Sequence, residues 1–279
     1  MGENRSSGRM LAARRQELIL RQVERQGSAR VRELSDLLGV SPMTIRRDID
    51  VLADTGRLSR VHGGAAASRE PLEPASVDEP GFAIKSRRQF VEKVGIARHA
   101  AELIKPGSAI GLTAGTTTAQ LAGELEDISD LLVVTNSLAA TAILHQSRRN
   151  DLTVLVTGGT PTPSEALVGP VAEAALASLH LDQLFMGVHG MGESAGFSSP
   201  NLLEAQTLRA FVASSEEVVV LADHTKWGTT GLSSIGDLSA ADVVITDEDI
   251  PQDALAVLEA EVETVIVAEQ GAGDGLPAG

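Results

Sequence analysis

The sequence predicts an α/β protein in two parts: a small helical head closed by a β-hairpin, and a larger body built on a parallel sheet. Three observations predict it. Charge is divided unevenly, since residues 1–69 carry 13 arginines, no lysine and 8 acids, whereas the whole chain has a net charge of −15. The head therefore has a net charge of +5 and the remainder −20, an asymmetry that suits a phosphate-binding head on a body repelled by phosphate. Apolar residues of the head recur at helical spacing, with a cap-and-proline signal before the third run. Beyond residue 82, short Val/Leu/Ile runs alternate with helical patterns, as they do in parallel sheets covered by helices.

In the head, Leu18, Ile19 and Val23 mark an amphipathic helix over Met10–Gln26, with Gly27 as its stop. A second helix covers Val31–Leu38, with Val31, Leu34, Leu37 and Leu38 as its apolar side. Gly39 follows where a left-handed residue is required, and Val40 turns inward. Ser41 caps a third helix whose first position is Pro42, where a missing N–H costs nothing. Two helices joined by a tight glycine turn make a helix-turn-helix. On the third helix, Ile45, Ile49 and Leu52 form one face. Met43, Arg46, Arg47 and Asp50 lie opposite, with Thr44 at the edge, and this side is the candidate groove surface. Arginine pairs bidentately with guanine, and Thr44 suits a phosphate or a thymine methyl. Asp48, Asp50 and Asp54 repel phosphate and are expected to pair with Arg46, Arg47, Arg57 or the first helix. Gly56 ends the helix, Arg57–Val61 reads as a strand, and His62-Gly63-Gly64 turns the chain back. The hairpin is a wing that offers Arg57, Arg60 and His62 to DNA. Read alone, the third helix fits an ordinary solvated helix equally well.

The string Thr44-Ile45-Arg46-Arg47-Asp48, with Arg14-Arg15, Val31-Arg32-Glu33-Leu34, Gly39-Val40-Ser41 and Arg60-Val61-His62-Gly63-Gly64-Ala65, resembles the DeoR family of bacterial transcriptional regulators. Ile49 stands where that family usually has Leu.

Ser68–Gly81 holds three prolines and no apolar period, so it reads as a linker (68–81) between a DNA-binding domain (10–67) and an α/β domain (82–269). The Gly/Pro tail 270–279 is expected to be disordered. Strands are expected at Ala109–Leu112, Leu131–Thr135, Leu152–Thr157, Gln183–Val188, Val218–Ala222, Val243–Thr246 and Thr264–Ala268. Most have the composition of strands buried on both faces. Helices fit between them at Phe90–Ile104, Thr117–Leu125, Leu138–His145, Val171–Leu179, Leu202–Ser214 and Gln252–Ala260. Ligands in such sheets bind beyond the carboxyl ends of the strands. There the sequence places Thr113-Ala114-Gly115-Thr116-Thr117-Thr118, Thr135-Asn136-Ser137, Gly158-Gly159, His189-Gly190-Met191 and Asp223-His224-Thr225-Lys226. A helix N-terminus with hydroxyls beside it suits a phosphate, although a threonine N-cap explains an isolated Gly-Thr-Thr as well.

These segments, with Glu92-Lys93, Ile96-Ala97 and Gly169-Pro170, also resemble the sensor domain of the DeoR family, which is similar in fold to ribose-5-phosphate isomerase. The resemblance spans about Arg14 to Asp247 and implies a domain that binds a phosphorylated sugar. It assigns phosphate to Gly115, Thr116, Thr117 and Thr118, with Asn136, Gly158, Gly159 and Lys226 around the sugar. Thr113 stands where many members carry Asp, which removes a sugar-hydroxyl contact. His189 replaces Asp or Asn; it is either a pH-responsive phosphate partner or a satisfied histidine at a strand end.

The absence of cysteine excludes disulfides and thiolate metal sites, and no metal or cofactor is expected. No apolar run reaches the ~18 residues of a membrane span, and residues 1–15 lack the apolar core of a secretory signal, so a cytoplasmic protein is expected. The reading is a regulator, most simply a repressor of a carbohydrate operon, that holds double-stranded operator DNA as a homodimer or homotetramer and is released by a sugar phosphate. The alternative is a phosphosugar isomerase tethered to DNA, with Asp223, Glu204 and His189 as its available bases.

Overall fold

The computed structural model describes residues 15–16, 18–20, 22–23, 28–54, 58–61, 64–66 and 81–269. They fall into two compact units, divided between Ser76 and Val77. Gly27, Gly56, Arg57, His62, Gly63, most of the expected linker and the tail 270–279 lie outside the described residues, as does the side chain of Arg60.

In the first unit, helix α1 is seen at residues 15–16, 18–20 and 22–23. It is followed by β1 (Ser28–Arg30), α2 (Val31–Leu38), α3 (Pro42–Asp54), β2 (Ser59–Val61) and β3 (Gly64–Ala66). Ile19, Val23, Leu34, Ile45, Ile49, Leu52 and Leu58 close one core. Gly39 caps α2 in the left-handed region, at φ 63°. Leu37 departs from the expected apolar side of α2, with 61% of its surface exposed. Val31, Leu34 and Leu38 share a face, and Leu37 sits about 100° away from its middle at helical spacing. Val40 is only partly buried against the core.

The wing has three strands, in the order β1-β3-β2. β1 has too few residues to show a period and was not apparent in the sequence. Its pairing explains Gly64, because a Cβ there would lie 2.3 Å from the carbonyl oxygen of Ala29. The second glycine of His62-Gly63-Gly64 is thus a point of close strand approach as much as a turn residue.

The second unit begins with α4 (Phe82–Lys85) and α5 (Phe90–Glu102), then continues with β4 (Ala109–Leu112), α6 (Thr116–Glu124), β5 (Leu131–Thr135), α7 (Leu138–Gln146) and β6 (Leu152–Val156). A short hairpin, β7 (Thr160–Pro161) and β8 (Leu167–Val168), leads to α8 (Pro170–Leu176) and β9 (Leu181–Gly187). β10 (Gly190–Gly192), β11 (Gly196–Ser199), α9 (Leu202–Ala213), β12 (Ser215–Leu221) and β13 (Ser233–Gly236) follow, and then β14 (Val243–Asp247), α10 (Gln252–Glu261) and β15 (Thr264–Ala268).

Seven of these strands form one parallel sheet in the order β15-β14-β12-β9-β4-β5-β6. Alternate residues feed two cores. Leu184, Met186, Val218 and Val220 pack with Leu208, Phe211 and Leu258 of α9 and α10. Phe185, Val219, Leu221 and Leu112 pack with Ile96, Leu121 and Leu144 of α5, α6 and α7. Apolar side chains on both faces of the central strands produce the continuous Val/Leu/Ile runs of the sequence. β6 departs from that expectation: as an edge strand it leaves Leu155 and Val156 more than a third exposed. A second, antiparallel sheet of β10, β11 and β13 was not anticipated, since Gly-Met-Gly and Gly-Phe-Ser-Ser show no alternation. Among the described residues, no helix is long and apolar enough to cross a membrane.

Winding reverses once in the large sheet. The chain moves from β4 through β5 to β6 on one side, then returns to the other side of β4 with β9. The carboxyl ends of β4 and β9 therefore flank a topological switch point, where the following loops diverge and leave a crevice.

Candidate functional site

The exposed side of α3 is the candidate DNA face. Ser41 opens the helix: its hydroxyl accepts from Thr44 N–H at 3.2 Å and lies 2.9 Å from the Thr44 hydroxyl. Met43 is 74% exposed, Arg46, Arg47 and Asp50 are exposed, and Thr44 is half-buried at the edge. The opposite face carries buried Ile45, Ile49 and Leu52. Asp48 belongs to that inner face. It is buried and accepts from both the Nε and Nη2 of Arg15, the latter at 3.1 Å, and from Gln16 at 3.4 Å. Of the partners expected for this acid, the structure selects the first helix. The pair locks α1 to α3 from beneath the face that carries Arg46 and Arg47.

At the switch point of the second unit, a narrow cleft of about 80 Å³ is lined by the loops after β4, β9 and β12. Gly115, Thr116 and Thr117 come from the β4 loop, Gly187, Val188 and His189 from the β9 loop, and Lys226 from a single 3₁₀ turn, His224–Lys226, after β12. Helix α6 starts at the cleft with Gly115 as its N-cap and no side-chain capping bond. Its first amide N–H groups thus lack the acceptor a capping side chain would supply, and the helix dipole is positive there. A wider groove at the amino end of β6, between Leu144 and Val154, lies away from the switch point.

The remaining residues shape the cleft. Thr113 is fully buried and its hydroxyl accepts from Gly187 N–H at 3.1 Å, tying β4 to β9. Thr118 is also fully buried and donates to the Gly115 carbonyl at 3.0 Å. Asn136 is buried, with its amide engaged at both ends: Oδ1 accepts from Ala114 N–H at 2.8 Å and Nδ2 donates to the Leu167 carbonyl at 3.0 Å. It latches the loop between β4 and α6 to β8. Gly158 and Gly159, with positive φ of 73° and 124°, form the turn between β6 and β7, outside the cleft lining. A Cβ on Gly159 would stand 2.6 Å from the Val168 carbonyl oxygen.

Two contributors were not singled out from the sequence, Lys85 of α4 and Ser199, and they line the cleft with Glu204, which the sequence offered only as a base for the isomerase alternative. Glu204 accepts from the hydroxyls of Thr162 at 2.7 Å and Ser199 at 3.3 Å, so its carboxylate is held within a hydrogen-bonded frame. Lys85 lies in a four-residue helix without a period to reveal it. Ser199 ends β11, a strand the sequence did not show, and meets Glu204 in the first turn of α9.

Buried charges lie close to this site. Lys93 is 3% exposed, and its ammonium donates to the carbonyls of Lys85, at 2.8 Å, and Arg88. Burial pushes its pKa down to about 8; Asp223 opposes the shift and Lys226 and Arg88 add to it. Asp223 caps the 3₁₀ turn through Oδ1, while its Oδ2 is buried without a hydrogen-bond partner. His224 Nδ1 lies 2.8 Å from Asp247 Oδ1. Asp247 also accepts from the backbone N–H groups of His224 and Asp249, which makes it a clamp on the end of β14.

Comparison with known proteins matches two family models, a DeoR-like helix-turn-helix domain over residues 15–70 and a DeoR C-terminal sensor domain over residues 88–248. A putative aga operon transcriptional repressor of Escherichia coli O157:H7 is 35% identical over 272 residues, covering 96% of this chain and 97% of that protein. The glycerol-3-phosphate regulon repressor of Escherichia coli K12 is 32% identical over 241 residues, covering 86% and 92%. Among solved structures, a ribose 5-phosphate isomerase from Methanocaldococcus jannaschii overlaps 48% of this chain and 53% of its own, at 20% identity and a TM-score of 0.36. The sequence relatives are named as regulators, so this chain is a regulator and not an enzyme. With both of its parts matched and relatives aligned over nearly their whole length, the chain belongs to the DeoR family of DNA-binding transcriptional regulators.

Proposed function

We propose that the protein represses a carbohydrate operon and is released when a sugar phosphate occupies the switch-point cleft. The observation that carries this reading is the convergence, in one cleft, of the uncapped start of α6 with the ammonium-bearing Lys226. Both favour a dianionic phosphate. Gly115, Thr116 and Thr117 supply the phosphate end, and His189 and Lys226 flank the ligand. Thr118, Asn136, Gly158 and Gly159 act by holding the loops. The names of the relatives support the ligand class, since one is a repressor of a glycerol-3-phosphate regulon.

On the DNA side, Ser41, Met43, Thr44, Arg46 and Arg47 face the major groove, and Arg57, Arg60 and His62 serve the wing. The protein works as a homodimer or a larger symmetric assembly, because paired recognition helices read paired half-sites. It acts where the operator is, in the bacterial cytoplasm. For release to occur, the ligand must bind the DNA-free state more tightly than the DNA-bound state. The test is operator affinity measured with and without a panel of sugar phosphates, for the wild type and Lys226→Met. The expected result is a ligand-dependent loss of affinity in the wild type that requires a higher ligand concentration in the variant. Operator binding indifferent to every sugar phosphate would remove the release mechanism and leave the DNA-binding assignment intact.

A further inference from the structure

Lys85 lines the same cleft as the start of α6 and Lys226. The segment that bears it is lightly anchored: α4 buries none of its residues, and Ile84 is 55% exposed. Its attachments are polar. Phe82 N–H donates to the Pro163 carbonyl at 3.3 Å, Lys85 Nζ donates to the Ser164 hydroxyl at 3.4 Å, and Lys93 holds the carbonyls of Lys85 and Arg88 from below. The segment ends at Gln89, a non-glycine residue in the left-handed region at φ 45°, which turns the chain into α5. Backbone of that kind is held in place by its surroundings. In sequence, the segment stands near the start of the second unit, which follows the DNA-binding unit at Val77.

We propose that Lys85 is part of the receptor for the effector's phosphate, and that segment 81–89 is the element through which cleft occupancy reaches the chain leading to the DNA-binding unit. The inference rests on the sugar-phosphate reading of the cleft and adds its route of regulation. An anion between the α6 N-terminus and Lys226 is within the same cleft as Lys85, so the ammonium of Lys85 gains a charge-assisted partner. A segment with no fully buried side chain is ordered by an added bond more readily than a packed helix would be, because few buried contacts lower the free energy of local opening. Lys93 supports the same outcome. A bound anion offsets the repulsion from Lys226 and favours the charged form that holds the Lys85 and Arg88 carbonyls.

The experiment is amide hydrogen exchange on the full-length protein, free and with millimolar glycerol 3-phosphate, ribose 5-phosphate or inorganic phosphate. Peptides covering residues 82–88 report the segment, and peptides covering 115–119 report the cleft. In the wild type, both regions are expected to exchange about fivefold or more slowly with ligand. In Lys85→Met, slowing at 115–119 persists while slowing at 82–88 is lost. Thermal melting of the variant checks that the half-exposed substitution leaves the unit folded. Slowing confined to 115–119 in the wild type overturns the role of the segment and spares the cleft. Equal slowing of 82–88 in the variant overturns the role of Lys85. No slowing at either region overturns both this inference and the sugar-phosphate reading beneath it.

Discussion

Replacing Asp48 with alanine removes the acid that joins α1 to the helix presented to DNA. Arg15 and Asp48 are both buried, with side-chain exposures of 11% and 7%, and the carboxylate accepts from two positions on the guanidinium and one on Gln16. The pair raises the Arg15 pKa further above its ordinary value, chiefly through its hydrogen bond to Asp48. Deleting the acid takes away the carboxylate to which Arg15 is bonded twice, and breaking a buried pair from one side costs about 3–5 kcal/mol. That is a large part of the roughly 5–15 kcal/mol that holds a typical domain together. The core beneath is small, since α1, α2 and α3 meet through Ile19, Leu34, Ile45 and a few neighbours. Asp48→Ala should therefore unfold or loosen the head while the sensor unit melts unchanged. The assay is hydrogen exchange at the amides of Ile45–Leu52, read beside amides of the central strand Leu181–Gly187 as an internal reference. Operator binding should be lost in step with protection of the head. Arg46→Ala serves as the contrast, losing DNA affinity with protection intact. Wild-type protection of the α3 amides in Asp48→Ala would refute the reasoning, for the acid would then contribute nothing to fixing the helix.

The other predictions concern separate parts of the chain. Arg46→Ala and Arg47→Ala should each weaken operator binding by about 1–3 kcal/mol with relaxed specificity if they read base edges, whereas a loss uniform across sequences would mark phosphate contacts; binding to operator variants distinguishes the two. Gly159→Ala should destabilise the sensor unit by about 1–3 kcal/mol in denaturant melts, because its φ is 124° and the new Cβ would meet the Val168 carbonyl. Lys93 has a pKa near 8 in the folded protein against an ordinary 10.5, so the unfolded chain holds that proton more tightly between those values. Its contribution to stability therefore rises as pH climbs from about 8 through 10.5. Unfolding curves of wild type and Lys93→Met should diverge in the wild type's favour over that range, and parallel curves would show that burial does not depress this lysine.

Much of this architecture was legible because one physical signal dominated each element. Helix α3 is announced by Ser41, Pro42 and the face of Ile45, Ile49 and Leu52, and the cap and the burial agree with that pattern. The central parallel strands are legible because burial on both faces demands unbroken apolar runs such as Leu131–Thr135, and the two edge strands keep an apolar run although they are less buried. β1 and β13 are held by pairing partners far away in sequence, and β10 and β11, though they pair as neighbours, escaped because runs of three and four residues rich in glycine and serine show no alternation. The cleft was half legible. Gly115, Thr116, Thr117, His189 and Lys226 meet in it because all follow strands at one end of the sheet, a consequence of topology the sequence could indicate. Asn136 lies at the same end, yet its amide joins Ala114 to Leu167, and no local pattern distinguishes a latch from a ligand-binding amide. Lys85 comes from a segment before the sheet begins, and only the fold brings it there.

The most direct test of sugar-phosphate control is a linked titration. Operator affinity is measured against increasing sugar phosphate, and affinity for the same sugar phosphate is measured on the free and the operator-bound protein. Linkage requires the two affinities to change by the same factor. The ligand is expected to weaken operator binding, operator to weaken ligand binding by an equal factor, and Lys226→Met to raise the ligand concentration needed without altering operator affinity in its absence. A sugar phosphate that binds the free and the DNA-bound protein equally well, leaving operator affinity unchanged at saturation, would contradict this expectation.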